Sequence, residues 1–438
     1  MLKTTAKTAT ALSWTELELF ASKISSGWKD DTVTRETGTT NSHATFRKFD
    51  STTTSNEARV TLFRDNHAWC PYCQKIWLFL EEKQIPYQIK KVTMFCYGEK
   101  EAWYKRIVPS GMLPALQLDN TIVTESDDIL AVLENEFGTL NGTGMAEPHV
   151  IKVRKMERQL FRAWCSWLCY PARSAREESS NQLQFEKMAQ VVDRQLGNDG
   201  PYFLGNDITI GDVIFAPYLE RMAASLYYYK GFDIKKNHPN IGMWFKAMET
   251  RSTYRGTQSN YHTHAHDLPP QMGGCHSNQT PEALQCAAMV DSGIADVPET
   301  SHAEPETSIQ EALIRTLKHY ETILQINPFI GRNGENTIHI DEALRCALTR
   351  MVNGSECVPP KGTDAALRYL RDRVNVPRDM SIFAAKRFRS ALEETAALDG
   401  NGQGPAIPIK HRRDQSVLPF LQARQEGKES SSKMCSGM

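Results

Sequence analysis

The stretch that decides the fold is Arg59-Val-Thr-Leu-Phe-Arg64, followed by Cys70-Pro71-Tyr72-Cys73 and then by Gln74 to Lys83. The first run is typical of a β-strand and the last of an α-helix. Pro71 suits the first turn of a helix, because its missing N–H would be unpaired there. The sequence therefore predicts that a strand delivers Cys70 to the mouth of a helix.

Cys70 occupies the predicted N-cap, where the unpaired amides and the positive end of the helix dipole favour a thiolate. The thiolate is the form of cysteine that attacks disulfides and electrophiles. Cys73 lies one turn further on the same face, within reach of a mixed disulfide formed at Cys70. The spacing is also that of half a zinc site, but the sequence has no second C-x-x-C. We therefore interpret the two cysteines as a redox or nucleophilic pair.

Composition excludes some partners and favours a reducing compartment. The 438 residues suffice for two or three compact units, and a formal charge of −1 gives no global attraction to nucleic acid or membrane. Ten cysteines in this length, with a C-x-x-C, favour free thiols and hence the cytoplasm. The first thirteen residues are basic, hydroxylated and free of acids, so a plastid or mitochondrion is the alternative.

The first part of the chain predicts an α/β domain. We interpret residues 1–57 as a poorly ordered lead-in with one short helix at 14–24. Residues 58–140 form the first compact unit. Its predicted elements are strand 59–65, helix 71–84, strand 86–92, strands 113–118 and 121–124, and helix 126–137. The order βαβ followed by ββα is that of a thioredoxin-like domain.

The rest of the chain predicts helices. Residues 149–275 form an all-helical domain, 276–398 a helical extension after a break at 268–274, and 399–438 a disordered tail. Predicted helices span 149–170, 182–197, 211–229 and 238–250 in the domain, and 306–326, 339–353, 363–374 and 379–397 in the extension.

Two further motifs lie where a thioredoxin-like domain approaches its redox cysteine. Leu113-Pro114 precedes the third strand, and we expect its peptide bond to be cis. Ser126 can cap the helix that follows the fourth strand. Its exposed amides, together with Glu125, suit the carboxylate and amine of an amino-acid-like ligand.

Together these motifs resemble the cysteine-type, omega-class glutathione transferases. The similarity covers residues 58–254 and is carried by four stretches of the sequence. They are Cys70 to Lys83, Lys100 to Leu116, Glu125-Ser126, and Tyr202 to Asp212. The long carboxy-terminal region is similar to that of omega-like transferases in algae and plants. The resemblance implies an all-α transferase domain after the thioredoxin-like one.

The resemblance also implies a glutathione site without a metal. It assigns the mixed disulfide to Cys70, the glycyl carboxylate to Lys100, the cysteinyl backbone to Leu113 with cis Pro114, and the γ-glutamyl group to Glu125 and Ser126. One departure matters, because omega-class members often keep only the first cysteine. Cys73 could resolve protein disulfides. An iron–sulfur cluster between subunits is less favoured, since it needs four ligands.

The acceptor pocket should lie between the two domains. Candidates on the helical side are Tyr170, Arg173 and Trp244, with Trp164 and Trp167. The alternating His262, His264 and His266 would face one side of an extended segment and could bind a metal. Without an evident fourth ligand we interpret the segment as a polar loop.

The sequence thus predicts a glutathione-dependent thiol transferase or reductase, acting in deglutathionylation or in reduction of dehydroascorbate or glutathione conjugates. Its partners are glutathione and a small electrophile or disulfide, and a homodimer is possible. The alternatives are a non-catalytic scaffold that keeps the fold, and conjugation of glutathione to electrophiles.

Overall fold

A computed structural model describes residues 9–24, 27–50, 53–294, 297–330, 334 and 336–399. The tail predicted at 399–438 lies outside these ranges apart from Asp399. The strands are β1 (Phe46–Arg47), β2 (Val60–Asp65), β3 (Tyr87–Val92), β4 (Ala115–Leu118) and β5 (Thr121–Thr124). The first helices are α1 (Trp14–Ile24), α2 (Thr32–Thr37), α3 (Pro71–Glu82), α4 (Ala102–Ile107) and α5 (Ser126–Phe137).

The remaining helices follow without further strands. They are α6 (Pro148–Leu168), α7 (Ala175–Leu196), α8 (Ile210–Lys230), α9 (Ile234–Asn237), α10 (Pro239–Glu249), α11 (Ser252–Thr257), α12 (Tyr261–Met272), α13 (Pro281–Ser292), α14 (Ser308–Leu317), α15 (Tyr320–Gln325), α16 (Thr337–Asn353), α17 (Asp364–Arg371) and α18 (Ile382–Ala396). Among the described helices, none combines the length and apolar character needed to cross a membrane.

The sheet has the strand order β1-β3-β2-β4-β5, with β2 parallel to β3 and the other pairs antiparallel. Leu62 pairs with Ile89 on one side and with Leu116 on the other. Every residue of β2 is buried, because this strand is central and helices pack against the sheet. The predicted thioredoxin-like domain is confirmed, and α4 is an additional short helix.

The polar segment before the domain is part of its edge, which corrects the predicted disorder of residues 25–57 for the described part. Arg47 of β1 forms a buried pair with Glu81, its Nε lying 2.8 Å from Oε1. Trp77 Nε1 donates to Thr40 Oγ1 across 2.9 Å. A Cβ at Gly256 would lie 2.1 Å from the Thr40 carbonyl oxygen, so only glycine permits this approach. Buried pairing holds the segment in place despite its polarity.

The helical domain is built around α8, which is buried along nearly its whole length. The predicted capping box is present: Thr209 N–H donates to Asp212 Oδ2 across 2.8 Å. One apolar core runs from the sheet through α3 and α5 into α6, α7, α8 and α10. The thioredoxin-like and helical domains therefore share a core.

The break predicted at residues 268–274 is wrong, because α12 continues through Pro269 and Pro270 to Met272. Its N-cap is Asn260, whose side chain accepts from Thr263 N–H. The helix ends at Gly273 with φ +81°, a conformation that favours glycine. Residues 276–304, for which the sequence predicts no helix, contain α13.

The extension has an apolar core of its own, formed by α14 to α18. The N-terminal segment completes this core with three buried residues, Leu17, Ala21 and Trp28. The short helix predicted at 14–24 is therefore present, and its partners come from the opposite end of the chain. The helix predicted at 306–326 is divided into α14 and α15.

Polar contacts join the extension to the rest of the molecule. Val376 N–H donates to Thr263 Oγ1 across 2.9 Å, and Ser259 Oγ donates to the Val376 carbonyl. Ser42 Oγ donates to the Pro377 carbonyl across 2.6 Å. The segment around Val376 is thereby fixed against both α12 and the polar segment before β1.

Candidate functional site

The loop between β2 and α3 is anchored from two sides. Asp65 ends β2 and accepts from the Trp69 N–H across 2.7 Å. Arg221 of α8 donates to the Trp69 carbonyl and, across 2.8 Å, to Gln74 Oε1. Cys70 then serves as the N-cap and Pro71 begins α3, as the sequence predicts. The buried carboxylate and the guanidinium together hold the backbone that presents Cys70.

The two cysteines differ in access. Cys70 is 6% exposed and Cys73 is 1% exposed, and both are free thiols. Their sulfur atoms lie within 4.8 Å of each other and of an Asp65 carboxylate oxygen. Burial, and then a hydrogen bond with Cys70, raises the pKa of the Cys73 thiol well above its usual value. Cys73 therefore stays protonated and can donate its S–H to the Cys70 sulfur.

A cavity of about 310 Å³ opens at Cys70. Lys100 and Leu113 line it, whereas Pro114 is buried beside it. The Leu113-Pro114 peptide bond is cis, as predicted. Lys100 Nζ donates to the Thr93 carbonyl across 2.8 Å. Lys100 and Leu113 therefore line the same cavity as Cys70.

A second cavity of about 610 Å³ adjoins the first and contains Glu125 and Ser126. Tyr72 and Tyr218 line both cavities. Glu125 has φ +63°, an uncommon conformation for a non-glycine residue that turns the chain into α5. Basic side chains dominate the opposite wall: Arg154, Lys155, Arg158 and Arg162. The two cavities together bring Cys70, Lys100, Leu113, Glu125 and Ser126 to one cleft.

The predicted acceptor residues lie elsewhere. Trp244 is fully buried and its Nε1 donates to Asp212 Oδ1 across 2.9 Å, so it belongs to the core around α8. Tyr170 is 66% exposed and Arg173 is also exposed, both in the connection between α6 and α7. Of the two other candidates, Trp164 does line the cavity at Cys70, whereas Trp167 is buried away from it and its Nε1 donates to Glu178 Oε1 across 2.7 Å. The placement of Trp244 in the pocket is therefore corrected.

Sequence reasoning missed several residues that line the cavity at Cys70. They include Met94, Phe161, Tyr218, Leu268, Gln271 and Met272. The last three belong to α12, which the two prolines concealed. The N-cap Asn260 and the terminal Gly273 were the signals that could have revealed this helix. Cys96 was also missed, although it packs with Cys70 and Cys73 in one small apolar cluster.

The histidine segment forms part of a helix, which corrects the polar-loop interpretation. His264 Nε2 lies 2.7 Å from Glu220 Oε1, in the buried network that also contains Gln74 and Arg221. His262 and His266 are one turn apart on α12 and do not share the environment of His264.

Residues 69–136 match the family model described as glutathione S-transferase, N-terminal domain, and residues 157–257 match the one described as glutathione S-transferase, C-terminal domain. The chain is therefore similar to the two domains of a glutathione S-transferase over these two ranges. The glutathione S-transferase match thus covers the thiol loop, the Glu125–Ser126 turn and most of the helical domain.

Three of the curated relatives are plant proteins named as glutathione S-transferases. "Glutathione S-transferase DHAR3, chloroplastic" of Arabidopsis thaliana is 24% identical over 190 residues, covering 43% of this chain and 69% of the relative. "Glutathione S-transferase DHAR2" of the same plant is 25% identical over 193 residues, covering 43% and 84%. "Probable glutathione S-transferase DHAR1, cytosolic" of Oryza sativa is 26% identical over 191 residues, covering 43% and 84%. Both cytosolic and chloroplastic forms are thus among the relatives.

Three solved structures of glutathione transferases are also similar to this chain. Glutathione transferase Omega 3C from Trametes versicolor matches with a TM-score of 0.38 and 26% identity, covering 46% of this chain and 89% of that one. A trimeric glutathione transferase from Leishmania, TDR1, matches with a TM-score of 0.42 and 18% identity, covering 85% and 99%. Another neighbour, URE2P8 from Phanerochaete chrysosporium, was crystallised with oxidised glutathione; its TM-score is 0.38 at 18% identity, covering 47% and 95%.

Proposed function

We propose that this protein is a glutathione-dependent thiol transferase or reductase in which Cys70 is the nucleophile. The observation that carries the proposal is the cleft in which Cys70, at the N-terminus of α3, lines one cavity with Lys100 and Leu113, while Glu125 and Ser126 line the cavity that adjoins it. The match to transferase domains supports glutathione as the co-substrate. The relatives named as DHAR proteins support a reductase.

The cleft suits the ends and the middle of glutathione. Lys100 offers a point charge to the glycyl carboxylate, and burial lowers its pKa while the nearby thiols oppose that shift. The backbone of Leu113 can hydrogen-bond the cysteinyl residue. Glu125 can accept from the γ-glutamyl ammonium, while the amides at Ser126 can donate to its carboxylate. This arrangement directs the sulfur of glutathione towards Cys70.

The reaction proceeds through a mixed disulfide. The Cys70 thiolate attacks the glutathionyl sulfur of a mixed disulfide and expels the substrate thiolate, which takes up a proton. The thiolate of a second glutathione then attacks the glutathionyl sulfur of the mixed disulfide at Cys70, the bond to the Cys70 sulfur breaks, and glutathione disulfide and the Cys70 thiolate are released. With dehydroascorbate, two glutathione thiols supply the two electrons and two protons, and one glutathione disulfide forms.

We assign Cys73 a supporting role. Its burial and its raised pKa keep it a thiol, and its S–H donates to the Cys70 sulfur. A donor of this kind stabilises a thiolate. The free state of all described cysteines supports a reducing compartment, for which we propose the cytoplasm, with a plastid or mitochondrion as the alternative. A homodimer remains part of the proposal.

The test uses three substrates: a mixed glutathione disulfide, dehydroascorbate and a chloro-aromatic electrophile. We expect reduction of the first two, and Cys70→Ser should lower both rates roughly a thousandfold or more, because the nucleophile is lost. Cys286→Ser, at a partly buried cysteine of α13, is the control and should be unaffected.

The outcomes separate the alternatives. Full activity in Cys70→Ser would refute the assignment of the nucleophile. Turnover of the chloro-aromatic alone would indicate conjugation. Glutathione binding without turnover of any of the three would indicate a scaffold.

A further inference from the structure

Three metal-ligating side chains meet where α12 and α13 pack together. They are His262 and His266 of α12 and Asp291 near the end of α13. One ligand atom of each lies within 4.8 Å of the other two. None of the three is among the residues that line the cleft at Cys70. The proposed transferase chemistry therefore does not use them.

The helix explains why two of the three histidines converge. Residues four apart lie on one face of a helix, and the rings of His262 and His266 have centroids 4.8 Å apart. His264, two residues from each, turns to Glu220 instead. An i, i+4 histidine pair on a helix is a common way to present two imidazoles to one metal ion.

Asp291 is held in the geometry of a ligand. Its Oδ1 lies 2.7 Å from His266 Nε2, and its Oδ2 accepts from the Tyr228 hydroxyl across 2.8 Å. Tyr228 thereby orients the Asp291 side chain in the way that outer partners orient metal ligands.

Charge and access are compatible with a cation. Arg389 of α18 donates to the backbone carbonyls of Val290 and Asp291. The negative charge of the nearby Asp372 partly compensates the positive charge of Arg389. The His262 side chain is buried, whereas the Asp291 side chain is 29% exposed. An ion can thus enter on the side of Asp291.

We propose that His262, His266 and Asp291 bind a divalent transition-metal ion such as Zn²⁺. Two imidazoles and one carboxylate suit zinc and its neighbours, with water completing the coordination. The ion ties α12 to α13. Because α12 also supplies Leu268 and Met272 to the cavity at Cys70, the ion stabilises one wall of the cleft.

The first experiment titrates Co²⁺ into the full-length chain. Asp65, Cys70 and Cys73 also bring three ligand atoms within 4.8 Å, so the titration uses a Cys70→Ser/Cys73→Ser parent. We expect one equivalent of Co²⁺ to give visible d–d absorption without a thiolate charge-transfer band, and Zn²⁺ to displace it. Absence of saturable binding to this parent would overturn the proposal.

Two variants in that parent locate the site. Asp291→Asn and His266→Gln should each weaken Co²⁺ binding at least about tenfold, since each removes a ligand. His149→Gln is the control, because His149 is half-exposed and pairs only with Glu147 in the ion pairs described. Unchanged affinity in both ligand variants would contradict the assignment.

A measurement without ligand variants covers the case in which they fail to fold. X-ray absorption of the zinc-loaded parent should show two imidazoles and no sulfur around the metal. Circular dichroism of metal-free Asp291→Asn should match that of the parent, because asparagine can still accept from Tyr228. A zinc environment containing sulfur, or no imidazole, would refute the proposal.

Discussion

The core shared by the thioredoxin-like and helical domains differs from the extension core in how the chain builds it. The buried residues of the shared core all come from one stretch of sequence, Ala44 to Val290, and several of them border the cleft at Cys70. The extension core combines α14 to α18 with Leu17 and Trp28 from the opposite end of the chain. The extension is therefore not built only from residues that follow the helical domain, because the N-terminal segment also belongs to its core.

The extension contacts the loop that presents Cys70. The guanidinium carbon of Arg378, in the extension, lies 5.6 Å from the centre of the Trp69 ring, next to Cys70 in sequence. Val376 contacts α12 through Thr263. The extension thus packs against the loop before α3 and against α12, both of which border the cleft. Its own apolar core contains neither Cys70 nor Cys73.

The largest expected effect comes from breaking the contact between the ends of the chain. Leu17→Ala removes a fully buried side chain from the extension core and should lower the free energy of unfolding by about 3 kcal/mol. Denaturant unfolding measures the loss. Leu19→Ala, in the same helix but 55% exposed, is the matched control and should be nearly neutral. Equal effects of the two changes would show that α1 does not complete this core.

A smaller effect, confined to the proposed glutathione site, is expected for Glu125→Gln. Glu125→Gln removes the charged acceptor proposed for the γ-glutamyl ammonium and should raise KM for glutathione by the equivalent of about 2 kcal/mol. Steady-state kinetics measure it, with the unfolding free energy unchanged. Asp128→Asn alters an exposed carboxylate in the first turn of the same helix and should leave KM unaltered. A normal KM in Glu125→Gln would remove this residue from the site.

The smallest effect concerns the junction between the two regions. Burial, together with Arg315 and Lys91, lowers the pKa of His43 to about 2. The unfolded chain binds a proton at His43 near pH 6.5 and the native protein does not, so stability is lost as the pH falls below 6.5. One pH unit below that value, His43 alone should cost about 1.4 kcal/mol.

His43→Gln should abolish this part of the pH dependence. Denaturant unfolding at pH 7 and pH 5.5 should show a smaller loss in the variant than in the parent protein. His149→Gln, at a half-exposed histidine, should retain the full loss. An identical loss in His43→Gln and the parent would show that His43 is protonated in the native state.

Local signals predicted the thiol loop well. Pro71 after Cys70 placed the start of α3, and the alternating elements placed β2, α3, β3, β4, β5 and α5 to within about two residues at most ends, although α4 was not predicted. These features depend on neighbours in sequence, which sequence reasoning can assess. The cis bond before Pro114 was likewise expected from its place in the order of elements.

Features that depend on distant partners were not predictable in the same way. Polar side chains such as Arg47 were interpreted as disorder, since nothing local revealed the buried partner Glu81. Trp244 was placed in a pocket, although its partner Asp212 lies in the core. Asp291, which lies close to His262 and His266, is separated from them in sequence by the second half of α12, a loop and most of α13. Tertiary contacts decided each of these cases.

The most direct test of Cys70 as the proposed nucleophile is to locate the first cysteine that forms an adduct with glutathione. The protein is incubated with glutathione disulfide, quenched in acid and mapped by peptide mass spectrometry. We predict a mixed disulfide at Cys70 that persists, because Cys73 is a buried, protonated thiol. A first adduct on another cysteine, or rapid conversion to a Cys70–Cys73 disulfide, would contradict it.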